Sequence, residues 1–218
     1  DGGDDLDLII SDFFSNEKLR NNLSLSSVNS INMCRVLVQS IHYFYAYFQV
    51  TKNIRERIVF SVPTGAFGNL FGGYLAKAMG LPVESFICSN NINAVVYNIL
   101  KKGVFFKTDL QQTFSSAIDI VVPYNVWRWL YFASGCDSSK IRNWMSNFKT
   151  KGYAELDLKT HKSIKQNFSS EVITDAETLD IMVEVYKNHS NYLLDPHTAV
   201  AVAGAYKARE KLSNEIKI

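Results

Sequence analysis

The segment Ile58-Val-Phe-Ser-Val-Pro-Thr-Gly-Ala-Phe-Gly-Asn69 constrains this chain more than any other. A β-branched apolar run stops at Pro63, two glycines follow three apart, and a helical pattern through Met79 begins at once. A strand that turns straight into a helix through glycines is a backbone device for holding an anion. Gly65 and Gly68 are expected to supply φ values and a close approach that a side chain would block. The first amides of the new helix lack intrahelical acceptors and carry partial positive charge, which suits a phosphate.

Three readings of Gly65-x-x-Gly68 compete. A Walker loop needs a lysine and a hydroxyl after its last glycine, and Gly72-Gly73-Tyr74 stands where they would come. A dinucleotide site needs GxGxxG and an acidic residue at the end of the next strand. Here Pro63 replaces the first glycine, and the second strand ends Cys88-Ser-Asn-Asn91 without a carboxylate. The third reading is a small phosphate ester held by backbone amides, such as pyridoxal 5'-phosphate. Against all three stands a tight turn whose glycines only allow helix and strand to pack closely.

Around the loop, a strand Ile58–Val62, a helix Gly68–Met79 and a strand Val83–Ser89 make a βαβ unit, so the expected class is α/β with a parallel sheet. Upstream, Ile31, Cys34, Val38, Ile41, Tyr45 and Phe48 recur at three- and four-residue steps and predict a long helix over Ser30–Gln49. Residues 1–28 are acidic and then serine-rich. Downstream, helices are expected at Ile92–Lys101, Tyr124–Ala133, Ser138–Lys151, Thr174–Asn188 and Pro196–Leu212. The last starts with proline in its first turn. A net charge of +2 argues against a nucleic-acid footprint, and no apolar run is long enough to span a bilayer. Cys34, Cys88 and Cys136, odd in number and far apart, fit buried thiols in a reducing compartment.

Several further blocks give the loop its context. Asn29-Ser-Ile-Asn32 with Arg35, then Tyr43-Phe-Tyr-Ala-Tyr-Phe48, resembles the NSIN helix of threonine synthase. Val62-Pro-Thr-Gly-Ala-Phe-Gly-Asn69 is similar to that family's phosphate loop, with Ala66 replacing the usual Asn. Ala76-Lys-x-Met-Gly-Leu-Pro82 continues the likeness, and Leu194-Asp-Pro-His-Thr-Ala-Val200 resembles its DPHTAV segment. Ala66 and Val122-Pro-Tyr-Asn125, with Ser134-Gly135, are similar to the animal threonine synthase-like phospho-lyase paralogue.

The resemblance implies a fold type II, tryptophan synthase β-like enzyme using pyridoxal 5'-phosphate and eliminating phosphate from O-phosphohomoserine or a related phosphoamino acid. It implies a cofactor phosphate on Thr64, Gly65, Ala66, Phe67, Gly68 and Asn69, with Thr198 near the cofactor. Ser30, Asn32 and Arg35 would face the substrate, where a phosphate favours an arginine fork. The alternative for these residues is capping and surface pairing. The same resemblance divides the chain at residue 50: an acidic start and NSIN helix bridging from a smaller domain, then part of the large cofactor domain. A monomer or homodimer in the cytoplasm is expected.

Catalysis in this class needs a lysine on the cofactor, which the family carries in a His-Gly-Pro-Thr-x-x-Phe-Lys-Asp-type motif. That motif is absent from these 218 residues. Lys77, Lys101 and Lys102 read as solvated helix lysines, so no catalytic residue is assigned. The chain therefore reads as part of a longer enzyme, expected not to turn over substrate by itself. The alternative is a non-catalytic, secreted, cytokine-like short form of the family.

Overall fold

A computed structural model describes residues 9–10, 12–213 and 216–218; the acidic residues Asp1, Asp4, Asp5 and Asp7 lie outside them. The central sheet has three parallel strands in the order β1 (Ile58–Pro63), β2 (Val83–Asn90), β5 (Phe168–Val172). Pro63 sits opposite Ser89, and Asn90 opposite Val172, so the carboxyl ends of all three strands share one edge. A parallel sheet buried on both faces reads as near-continuous apolar runs, which is the pattern of Ile58–Val62 and Phe86–Cys88.

In chain order the helices are α1 (Glu17–Leu23), α2 (Met33–Val50), α3 (Gly68–Ala78), α4 (Val95–Lys102), α5 (Asn125–Ala133), α6 (Ser138–Lys151), α7 (Leu158–Asn167), α8 (Asp175–Asn188) and α9 (Pro196–Arg209). A small antiparallel pair, β3 (Val104–Phe106) with β4 (Tyr153–Glu155), stands apart from the sheet. Local chemistry sets several boundaries. Asn32, Asp137, Asp157 and Asp195 each cap a helix with a side-chain oxygen, and Thr174 with Glu177 forms a capping box at α8.

The main core lies between the sheet, α2, α3, α5 and α7. Phe67, Phe86, Trp129 and Phe168 join there in one aromatic cluster, with Phe67 stacked on Trp129 at 4.6 Å between centroids. On the other face, α9 lies against β1 and β2, where a Cβ on Gly204 would come within 2.0 Å of the Ser89 Oγ.

The face that α2 buries differs from the one its apolar spacing suggests. Val38, Ile41, Tyr45 and Phe48 are exposed, and Val36, Ser40, Tyr43 and Tyr47 are buried. Most of α2 is apolar, so periodicity alone offers two faces; the partner chooses between them. Gly72 and Gly73 of α3 open a groove, and a Cβ there would meet the Val36 carbonyl at 3.0 Å and the Tyr43 ring at 2.6 Å. Lys77 also differs from a free surface lysine: it is part-buried and its Nζ donates to the Glu84 carbonyl at 2.8 Å.

Candidate functional site

The loop after β1 leaves the carboxyl edge of the sheet and is anchored at its first residue. The Thr64 amide donates to the Ser89 carbonyl at 2.8 Å, and its hydroxyl donates to the Val62 carbonyl at 2.8 Å. Phe67 then takes a left-handed φ of 64° and drives its ring into the aromatic cluster. That conformation is uncommon for a bulky residue. Burial of the ring and its stack on Trp129 hold it there.

The glycines therefore act differently from the sequence expectation. Neither Gly65 nor Gly68 has a positive φ; the left-handed residue is Phe67. What both glycines provide is closeness. A Cβ on Gly65 would lie 2.9 Å from the Ile118 Cα. One on Gly68 would lie 3.0 Å from the Ser30 Cβ and 3.2 Å from the Asn125 Nδ2. The loop is thus wedged between the short 3₁₀ turn Ser116–Ile118 and the segment before α2.

Its amides are left over. Among the described residues, no hydrogen bond uses the amides of Gly65, Ala66, Phe67, Gly68, Asn69 or Leu70; Phe71 is the first to bond, to the Phe67 carbonyl at 3.0 Å. No side chain caps this helix. These amides border a cleft of about 200 Å³ lined by Ser30, Arg35, Gln39, residues 63–70 and Ile118. A larger apolar cleft of about 370 Å³, between α5 and α6, includes none of these loop residues.

Of the residues singled out from sequence, Thr64, Gly65, Ala66, Phe67, Gly68, Asn69, Ser30 and Arg35 meet at the cleft. Asn32 and Thr198 do not line it. Asn32 accepts from the Cys34 amide at 3.0 Å and donates to the Ser27 carbonyl at 2.8 Å; the Thr198 hydroxyl donates to Asp195 Oδ2. Arg35 spends one nitrogen on the Val28 carbonyl at 2.8 Å and makes no carboxylate pair among the described residues.

A surrounding set of residues fixes this geometry. The Tyr43 hydroxyl donates to Asn69 Oδ1 at 2.7 Å, and Asn69 Nδ2 donates to Gln39 Oε1 at 3.1 Å. Burial pushes the Tyr43 phenol up, so it stays a neutral donor. On the opposite wall, Ser30 Oγ shares a 2.7 Å hydrogen bond with the Tyr124 hydroxyl and accepts from Asn125 Nδ2 at 3.3 Å. Arg128 donates to the Ser30 and Ile31 carbonyls and to Asn125 Oδ1. Sequence reasoning missed Gln39, Tyr43, Ile118 and Arg128 as site residues. Gln39, Ile118 and Arg128 stand in none of the quoted blocks, and Tyr43 opens the Tyr43–Phe48 block without any sign there of a role at the loop; their tertiary partners mark all four.

No model of a known protein family matches the chain. Individual proteins do match. Threonine synthase of Saccharomyces cerevisiae is 34% identical over 208 residues, covering 89% of this chain and 40% of the yeast protein. Threonine synthase-like 2 of Xenopus laevis is 36% identical over 207 residues, covering 94% of this chain and 43% of that protein. The crystal structure of PLP-bound threonine synthase from Brucella melitensis superposes with a TM-score of 0.87 at 36% identity, over 98% of this chain and 45% of that one.

Along nearly all of its length the chain is homologous to threonine synthases. It spans less than half the length of the relatives it matches. Yeast threonine synthase superposes at a TM-score of 0.85, and the fold is the type II fold of pyridoxal-phosphate enzymes, present in part. Threonine synthases and threonine synthase-like 2 proteins match this chain at similar identity. No helix of the described residues is long and apolar enough to cross a membrane.

Proposed function

We propose that the cleft holds the phosphate of pyridoxal 5'-phosphate, and that the whole protein eliminates phosphate from O-phosphohomoserine or a related phosphoamino acid. The unpartnered amides of Gly65 to Leu70 carry this reading. A helix N-terminus with free amides binds phosphate without needing a side-chain cation. The departure at Ala66 costs one side-chain donor and leaves this backbone set intact. A methyl group on Gly65 would press on Ile118, and one on Gly68 on Ser30 and Asn125, displacing the loop that carries it.

When bound, the cofactor supplies an electron sink for the carbanion formed at the substrate α-carbon. This chain's own residues bind and orient. Thr64 fixes the start of the loop, and Asn69, held by Tyr43 and Gln39, fixes the first turn of α3. Arg35 at the cleft's mouth keeps guanidinium donors free for the substrate phosphate, and the Ser30 hydroxyl faces the same space. Asn32 supports that wall as the α2 cap, and Thr198 stands with Asp195 one element away. No lysine lines the cleft among the described residues, so proton transfer is not assigned to this part of the protein.

In this reading residues 1–50 bridge from a smaller domain and residues 51–218 contribute to the large cofactor domain. Cys88 is buried as its sequence context suggests, whereas Cys34 and Cys136 are exposed against that expectation; all three are free thiols, which supports a cytoplasmic setting. The test uses pyridoxine 5'-phosphate, which has no aldehyde and so cannot attach to surface lysines. Fluorescence titration should show binding to the purified chain, little binding of pyridoxine, and a loss of at least about tenfold for Gly65→Ala, as a misplaced loop removes more than one hydrogen bond. Equal affinity for pyridoxine and its phosphate would sink the proposal.

A further inference from the structure

The turn Ser116–Ile118 forms one side of the cleft, and the question is what holds it there. Ile118 lines the cleft opposite Gly65, and its side chain is buried with Ile173, Ile181, Leu194 and Ala199 beneath α8 and α9. Just after the turn, Asp119 takes Asn91 Nδ2 at 2.7 Å, Asn93 Nδ2 at 3.0 Å and the Thr113 hydroxyl at 2.7 Å. Within the turn, the Ala117 amide is an orphan donor of a helical start, and its partner comes from a distant element. It donates to Nε2 of His197 at 3.0 Å, across 80 residues of sequence.

That bond dictates the state of the ring. A nitrogen that accepts from an amide carries no proton, so the His197 proton resides on Nδ1. Nδ1 lies 3.0 Å from Asp195 Oδ1 and donates to it. Asp195 also caps α9, accepting from the amides of His197 at 2.9 Å and Thr198 at 3.3 Å and from the Thr198 hydroxyl. The carboxylate thus fixes the ring's tautomer and orientation, and the ring in turn meets the turn that abuts the phosphate loop.

We propose that His197 is a positioning residue for the phosphate loop: held by Asp195, it pins the Ala117 amide and so sets how closely Ile118 approaches Gly65. This rests on the phosphate reading above. In the family block Asp195-Pro-His-Thr198 the histidine thereby acts on the cleft from outside it, through one backbone hydrogen bond.

The experiment compares the wild-type chain with His197→Ala and His197→Gln, the second retaining an acceptor at the reach of Nε2. Three readouts are taken: hydrogen exchange of the ¹⁵N-labelled Ala117 amide, pyridoxine 5'-phosphate affinity, and urea stability. In His197→Ala the Ala117 amide should exchange faster and affinity should fall about five- to tenfold, the equivalent of one hydrogen bond. Stability should change less, because Asp195 still caps α9 through the backbone. His197→Gln should restore both amide protection and affinity. The inference is overturned if His197→Ala leaves amide exchange and affinity unchanged, or if a folded His197→Gln restores neither. If the wild-type chain prefers pyridoxine 5'-phosphate no more than pyridoxine, the phosphate reading fails by itself. The clamp is then decided by Ala117 exchange alone: unchanged in His197→Ala overturns it, lost there and kept in His197→Gln supports it.

Discussion

Gly204→Ala sets two effects of opposite sign against each other. In a helix interior alanine is favoured over glycine by about 1 kcal/mol, so propensity alone predicts a more stable protein. The packing of α9 on the sheet predicts the reverse. The added Cβ would stand 2.0 Å from the Ser89 Oγ and 2.8 Å from the Ser89 Cβ. Rotating the hydroxyl relieves the first contact but not the second, because a Cβ moves only with its backbone. Reaching the 3.4 Å of ordinary contact therefore requires α9 to lift away from β2.

Ser89 is fully buried and shares a 2.9 Å hydrogen bond with Ser61 Oγ, which donates to the Ala201 carbonyl at 2.6 Å. Overpacking of this kind costs about 1–3 kcal/mol, and a buried hydroxyl left without its partner costs roughly 1–3 kcal/mol more. Against about 1 kcal/mol of propensity, the net loss should be on the order of 1–5 kcal/mol. Urea unfolding followed through the buried Trp129 should show a lower midpoint at unchanged slope. Adding Ser89→Ala should recover part of the loss, since the 2.0 Å contact disappears and the 2.8 Å contact stays. A Gly204→Ala protein as stable as wild type would mean that the α9–β2 spacing is looser than described and the reasoning fails.

Two further outcomes follow from the same structure. Asp195 is held down to about 2 by the Thr198 hydroxyl first, with the Thr198 and His197 amides and the His197 ring adding and partial desolvation opposing. Its folded value is depressed from 3.8, so its stabilisation is complete above about pH 4 and lost as pH falls through 2. Asp195→Asn should flatten the acid limb of a stability-versus-pH curve across that window, and an unchanged limb would refute the assignment. With a thiol-specific chromogenic reagent, Cys34 and Cys136 should react in the native protein, and Cys88 only on unfolding. Burial raises the Cys88 thiol well above its usual value and adds to its inertness; rapid reaction of all three would contradict the packing of β2.

Much of this architecture was legible in the residues because its causes are local. The capping box at Thr174 and Glu177, Asp195-Pro196 at the start of α9, and the apolar runs of β1 and β2 each act within a few positions. The order of the blocks, from Asn29-Ser-Ile-Asn32 through the loop to Asp195-Pro-His-Thr198, was likewise readable, and it carried the family.

Contacts between distant segments were not legible in the same way. On α2 the apolar period fitted Val38, Ile41, Tyr45 and Phe48, yet the glycine groove of α3 selected Val36, Ser40, Tyr43 and Tyr47. In the loop, glycine's general freedom suggested positive φ at Gly65 and Gly68, whereas the backbone turns at Phe67, which the aromatic core stabilises in that conformation. The sequence by itself thus determined that a strand passes into a helix here with free amides, because chain geometry and the absence of a capping side chain suffice for that. Only the tertiary structure decided why both residues must be glycine. Ile118 and Ser30 arrive from 53 positions later and 35 positions earlier than Gly65, and no local pattern encodes that approach.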